Sequence, residues 1–203
     1  MNSHNNLFFL VIFILSLFGS SSVIAEEVSP RGTVELLINS ISSLETGIQL
    51  SPEEIKKNDL LSYNALGRLN IREICRKVLG KYWKKLSLTE QKKFIDLLSR
   101  MFIKEAFPNS GKFFSTFKLI YGQTNINELK ATVPLSVVHE KEGEINIDFH
   151  LYKYSNQWQV VDVALDGISM RNNLRSKLYK IISKNNYQEL VRRLEQKLTD
   201  IKK

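Results

Sequence analysis

The chain has 203 residues, with 29 Lys and Arg against 21 Asp and Glu, three His and one Cys. A formal charge of +8 favours anionic partners, and a lone cysteine, Cys75, excludes an internal disulfide, so apolar burial must supply the stability. The His and Cys residues have no recognised metal spacing, and Gly-rich phosphate loops and interleaved basic-aromatic nucleic-acid patterns are absent.

The first 25 residues contain no charged side chain, and an apolar run from Leu7 to Phe18 ends in Val23-Ile24-Ala25. This is the pattern of a secretory signal cleaved after Ala25, although Lys and Arg are missing from its leading segment. The run is shorter than the roughly 20 residues a membrane span requires. Residues 26–203 are long enough for one domain with a substantial core, and the whole formal charge falls on them. Export makes a phospholipid surface a better anionic partner than nucleic acid.

Thr33 is placed to cap a first helix through Val34, Leu37, Ile38, Ile41 and Leu44. Ser51-Pro52-Glu53-Glu54 is a second start signal, combining a capping Ser, a Pro in the first turn and acids beside it. Asn70 caps a third helix, with Ile71, Ile74, Cys75, Val78 and Leu79 on one stripe, and Gly80 ends it. Ser87-Leu88-Thr89-Glu90 has the capping-box spacing and opens a helix expected to run to about Phe107, where Pro108 stops it. That helix is apolar around much of its circumference, so it must be covered on more than one side or line a cavity.

From about Phe113 the period changes to two. Four strands are expected, around Phe117–Tyr121, Leu129–Val137, Ile145–Leu151 and Trp158–Leu165, with hairpin turns at Lys141-Glu142-Gly143 and Ser155-Asn156-Gln157. Pro134 lacks a donor N–H and implies an edge or a bulge. For the Trp158 strand, alternation alone leaves the inward face open. Two helices close the chain, through Leu174, Leu178, Ile181 and Ile182 and through Leu190, Val191, Leu194 and Leu198, parted at Asn185-Asn186. The expectation is an α+β fold: a curved antiparallel sheet of about four strands covered on one face by N- and C-terminal helices.

Candidates for catalysis are few. His139 sits near a hairpin end, His150 falls on a polar strand face, and Cys75 reads as a small buried side chain. Ser169 follows Asp166-Gly167 but lacks the flanking glycines of a nucleophile elbow. It is placed to cap the next helix, with Gly167 permitting a sharp turn. The joint reads as a hinge rather than an active site.

Two stretches stand out: LGKYWKKLSLTEQKKFIDLLSRMF, with Gly80, Trp83, Leu86, Gln91 and Phe94, and WQVVDVALDGISMRNNLRSKLYKII, with Trp158, Asp162, Gly167, Ser169 and Arg175. In both the chain resembles the MlaC, or toluene-tolerance, family. Departures stand at Asn70, where the family often has an acid, and at Leu174 and Leu178, where it has aromatics; the latter two bear on lipid selectivity. The resemblance implies a periplasmic phospholipid carrier holding acyl chains in a cavity between sheet and helices, with no cofactor, no metal and no catalysed reaction. It further implies exchange of cargo with an inner-membrane ABC transporter containing an MCE-domain protein and with an outer-membrane lipoprotein-porin complex.

On that reading the candidate cavity wall is Phe94, Leu98, Met101, Phe102, Val133, Leu135, Ile147, Phe149, Val161, Val163, Leu174 and Leu178. Arg171 and Arg175 are candidates for a headgroup contact or a structural ion pair to Asp162 or Asp166. Gly80, Trp83, Trp158, Asp162, Gly167 and Ser169 have structural roles. Two other readings are a small exported serine hydrolase using Ser169 with His139 or His150, and a basic membrane-associated module without cargo.

Overall fold

The structure is a computed structural model that describes residues 28–47, 49–139 and 143–201. The leader and its cleavage point, Lys141-Glu142 and the side chain of His139 lie outside the described residues.

The first helix, α1 (Pro30–Ser42), starts four residues earlier than expected: Ser29 accepts from Gly32 N at 3.0 Å with Pro30 in the first turn, and Thr33 is a buried helical residue. After α2 (Pro52–Gly67) and α3 (Ile71–Leu79), a 3-10 segment, Gly80–Lys85, leads to α4 (Leu88–Met101). Caps at Ser51, Asn70 and Ser87 form as their spacing requires. At Ser87 the box is reciprocal: the hydroxyl accepts from Glu90 N at 3.3 Å while Glu90 Oε2 accepts from Ser87 N at 2.8 Å. The Ser87 N–H, with the Ser87 hydroxyl donating to the same oxygen at 2.8 Å, holds the Glu90 carboxyl below the usual carboxylate range.

Pro108 does not stop the helix. A π-helical segment, Phe102–Ala106, joins α4 to α5 (Phe107–Thr116), and Pro108 stands in the first turn of α5. Proline removes one i→i−4 donor and crowds the carbonyl of residue 104. The widened i→i+5 turn, in which Phe107 N reaches Phe102 O, accommodates both and lets the chain continue. Helix therefore extends over Phe113, where a strand region was expected, and the first strand begins at Lys118.

Among the described residues the sheet has six antiparallel strands: β1 (Lys118–Tyr121), β2 (Asn125–Asn127), β3 (Lys130–His139), β4 (Gly143–Tyr154), β5 (Gln157–Leu165) and β6 (Ile168–Ser169). Their order is β1-β3-β4-β5-β6, with β2 also on β3. The two strands beyond the expected four are the three-residue β2 and the two-residue β6. Leu129, expected in β3, is instead an exposed turn residue. Pro134 stands within β3 rather than on an edge strand, yet its peptide faces the break between β1 and β2, where its carbonyl accepts from Gly122 N at 2.9 Å. No ladder bond is lost there. Ser155-Asn156 and Asp166-Gly167 both have positive φ at both residues, the two-residue turn that suits strand twist.

Along β5 the alternation switches. Leu151 pairs with Val160 and His150 with Asp162, so Val161 is an unpaired bulge residue. Trp158 and Val160 point to the inner face before the bulge, and Val163 and Leu165 do so after it. No single parity describes the strand. The free edge of β5 is covered twice, by β6 at residues 164–165 and by Arg68–Asn70, which exchanges bonds of 2.9 Å with Val160 in both directions.

Helix α1 lies against β3 and β5, and α3 and α6 (Met170–Lys184) against β5, so the helices pack on the inner face bearing Val133, Leu135, Val137, Ile147, Phe149 and Leu151. Helix α7 (Tyr187–Asp200) packs outside α4, where Leu97 meets Val191 and Leu198. Gly111 of α5 lets that helix touch α1 backbone to backbone, because a Cβ there would collide with the Ile41 carbonyl. Gly111→Ala is expected to cost about 2–3 kcal/mol, read as a lower urea midpoint at unchanged slope. A cost below about 0.5 kcal/mol would contradict the close approach.

Candidate functional site

Two spaces in the molecule each have a volume of about 540 Å³, and their linings set them apart. One is polar, bordered by Glu73, Arg76, Lys130, His150, Asp162 and Arg171. Its charges are largely matched within the protein: Arg76 to Glu73 at 2.6 Å and Arg171 to Asp162 at 3.3 Å. The other is walled almost wholly by apolar side chains between sheet and helices: Ile145, Ile147, Phe149, Val163 and Leu165 from the strands, and Phe102, Ala106, Phe107, Phe113 and Phe114 from the π segment and α5. Leu37, Leu69 and Met170 close it, with Asn109 and Ser110 as polar members. A smaller apolar space of about 140 Å³ shares Leu69, Phe102, Val163 and Met170 with it and adds Ile74, Val160, Val161 and Leu174.

The cavity is assembled by the two irregularities described above. The bulge at Val161 turns Val163 and Leu165 inward beside Phe149 and Ile147. Continuation of the helix past Pro108 carries Phe113 and Phe114, whose rings meet edge to face at 5.4 Å, across the same space.

Of the twelve wall candidates, Phe102, Ile147, Phe149 and Val163 line the large space, and Val161 and Leu174 the small one. Phe94, Leu98, Val133, Leu135 and Leu178 lie in the packed core, and Met101 packs against the Leu97–Val191 cluster under α7. Ala106 and Phe107 belong to the apolar helix expected to line a cavity, whereas Leu37, Leu69, Phe113, Phe114, Ile145, Leu165 and Met170 were not anticipated. A signal existed for part of this set: residues 102, 106, 109, 110, 113 and 114 keep helical spacing straight through Pro108.

The joint after β5 is held by a buried carboxylate. Asp162 accepts from Ser169 Oγ at 2.6 Å, from Arg171 N at 3.0 Å and from Val163 N at 2.9 Å, and pairs with the Arg171 guanidinium. Ser169 Oγ also accepts from Asn172 N at 3.0 Å, capping α6. Ser169 therefore bonds a carboxylate directly, with no imidazole between, while His150 Nδ1 meets Thr132 Oγ1 at 3.2 Å. Asp166 accepts from Asn146 N at 3.0 Å and tethers its own turn to β4. Arg171 is thus the ion-pair partner of Asp162. Arg175 pairs with neither aspartate; its guanidinium lies over the Tyr179 ring at 5.0 Å.

The first family stretch has an equally local meaning. Gly80 has φ 48°, and a Cβ there would collide with the Tyr179 hydroxyl. Trp83 is buried, and Gln91 Nε2 donates to the carbonyls of Trp83 and Leu86 at 3.2 Å, fastening the 3-10 segment to α4. Trp158 is buried beneath Lys153, whose ammonium lies 5.8 Å from the ring. Cys75 is fully buried on α3, and burial pushes its thiol up. Among the described residues no group of three or more His, Cys, Asp or Glu is placed to hold a metal ion, and no helix is long and apolar enough to cross a membrane.

The family model described as "MlaC protein" matches residues 36–196. No curated relative matches the chain. Among solved structures, a phospholipid-binding protein from Ralstonia solanacearum, determined in complex with a phospholipid, superposes with a TM-score of 0.69. The two are 16% identical, and the alignment covers 88% of this chain and 100% of that one. That likeness establishes the fold.

Two outcomes follow from the geometry of the joint and of α3. Asp162→Asn removes the charge opposite Arg171 and is expected to cost about 2–3 kcal/mol in urea unfolding, less than for a fully buried pair because Arg171 is partly exposed; an unchanged midpoint would contradict the role given to it. The Cys75 thiol is expected to react with an aromatic disulfide reagent only as fast as the protein opens. Labelling at the rate of a free thiol would contradict its burial.

Proposed function

The chain belongs to the MlaC family, and from that premise we propose that it is a phospholipid carrier whose acyl-chain site is the apolar cavity between the sheet and the Phe102–Phe114 helix. The observation that carries the reading is the lining: about 540 Å³ walled by aliphatic and aromatic side chains, with two polar residues among fifteen. A space of that size falls within the roughly 300–1,000 Å³ of ligand pockets. The Ralstonia protein of the same fold holds a phospholipid, which supports the same cargo here.

Two ordinary acyl chains carry about 30 methylenes, and their exposure to water costs on the order of 20 kcal/mol or more at about 0.8 kcal/mol each. Free diffusion between membranes is therefore excluded. A cavity that matches the apolar character of a bilayer cancels most of that term, so transfer needs no reacting groups. The protein is exported by its leader, works in the periplasm, and passes phospholipid between an outer-membrane lipoprotein-porin complex and an inner-membrane ABC transporter with an MCE-domain protein. It acts by binding, not by catalysis.

Native mass spectrometry of the protein purified from cells is expected to show co-purifying phospholipid. Val163→Trp and Leu165→Trp, which fill the cavity from β5, are expected to lower that occupancy at least tenfold while the urea midpoint holds or rises. Empty wild-type protein, or filled variants that carry lipid as before, would overturn the assignment.

A further inference from the structure

The positive charge of the chain is not spread evenly. Residues 80–85 contain Lys81, Lys84 and Lys85, residues 170–184 contain Arg171, Arg175, Lys177, Lys180 and Lys184, and neither segment has an acidic residue. These eight cations equal the whole formal charge of +8; the other 21 Lys and Arg balance the 21 Asp and Glu. In sequence the two segments are about 90 residues apart. The fold joins them.

The contact is specific. Tyr82 and Tyr179 meet edge to face at 5.0 Å, and the Tyr179 hydroxyl accepts from Lys81 N at 3.0 Å and from Arg175 Nη2 at 3.3 Å. Lys81, Tyr82, Arg175, Tyr179 and Lys180 line one shallow depression. Lys177, Lys180 and Lys184 follow at intervals of three and four, a single stripe along α6. Arg171 is taken by Asp162, but among the described residues the other seven cations are exposed and form no ion pair. Elsewhere many cations stand against carboxylates, among them Arg31, Lys57, Arg76, Lys93, Arg192 and Lys197, and those without an ion pair among the described residues, such as Arg72, Lys92 and Lys112, lie far apart in the sequence.

We propose that this basic surface, built from the 3-10 segment and from α6, where Lys180 joins the depression to the Lys177–Lys184 stripe, docks the protein on an anionic phospholipid surface. Six of its seven free cations are lysines, mobile point charges that suit a diffuse layer of headgroups; a fixed acidic peptide is matched better by the bidentate fork of arginine. The Tyr82–Tyr179 pair in the depression is of the side-chain type enriched at the level of lipid headgroups. The same helix presents Met170 and Leu174 to the cavities, beside the stripe that begins at Lys177, so docking brings the carrier's cargo wall next to the bilayer. The attraction itself requires no cargo, and its test reads protein on vesicles rather than lipid on protein.

Co-sedimentation with vesicles of phosphatidylethanolamine and phosphatidylglycerol at 3:1 is expected to retain the wild-type protein at low salt, to release it near 0.5 M NaCl, and to fail with phosphatidylcholine vesicles. Lys177→Gln, Lys180→Gln and Lys184→Gln together are expected to weaken partitioning roughly a hundredfold, about fivefold per charge. Arg72→Gln, Lys92→Gln and Lys112→Gln, which remove the same charge from other exposed positions, are expected to weaken it less than fivefold. Equal loss in the two triple variants would assign binding to net charge and overturn the patch. Failure of the wild type to sediment, or capture by polyglutamate without capture by the vesicles, would overturn the membrane assignment.

Discussion

The carboxylate of Asp162 is buried, and its accepted bonds come from the strand that carries it and from the first residues of α6. That set of bonds fixes where the sheet ends and the closing helices begin. Because Val161 bulges just before it, Asp162 points outward to meet Ser169 and Arg171, and Val163 and Leu165 point inward. A regular strand through Val161 would reverse this, burying the charge in the apolar interior and turning the two aliphatic side chains away from the cavity. One inserted residue thus sets both the hinge and the lining.

The opposite wall depends on a second local irregularity. A helix that ended before Pro108 would leave Phe113 and Phe114 without a place over the sheet; the π turn absorbs the proline and carries them there. The resulting space is large by the standards of a protein interior. Closed and empty, a cavity of this volume would cost on the order of 10 kcal/mol, comparable with the entire stability of a typical domain. Apolar surface held open in this way is stabilised by an occupant, and a lipid tail supplies one without any catalytic group. Arg175, which the family stretch singles out, serves the Tyr179 contact beside Gly80 and so belongs to the basic face rather than to the hinge.

Much of the fold was readable in the sequence because it is written in local chemistry. Ser51, Asn70 and Ser87 cap helices wherever they occur with the right neighbour three residues on, and period-two alternation marks β3 and β4 without reference to the rest of the chain. Thr33 misled because Ser29-Pro30 is the stronger start. Proline at 108 reads as a stop unless the helical spacing on both sides is counted through it. The bulge in β5 leaves no local signature at all, since Val160 and Val161 are equally apolar; its position is set by Asp162 finding Ser169 and Arg171. Cavity and core residues are chemically alike, so Phe94 and Val133 could not be told from Phe102 and Val163 by type. Only the packing of α1, α3 and α5 over the sheet separates them.

The central claim is that lipid tails occupy the space walled by β4, β5 and the Phe102–Phe114 helix. Methyl NMR of the protein loaded with a phospholipid bearing a nitroxide on its acyl chain tests it most directly. Selective broadening is expected at Ile147, Val163, Leu165 and Met170, with Val78, Leu79 and Leu190 of the packed core retaining sharp signals. Uniform broadening, or broadening confined to residues outside that wall, would contradict it.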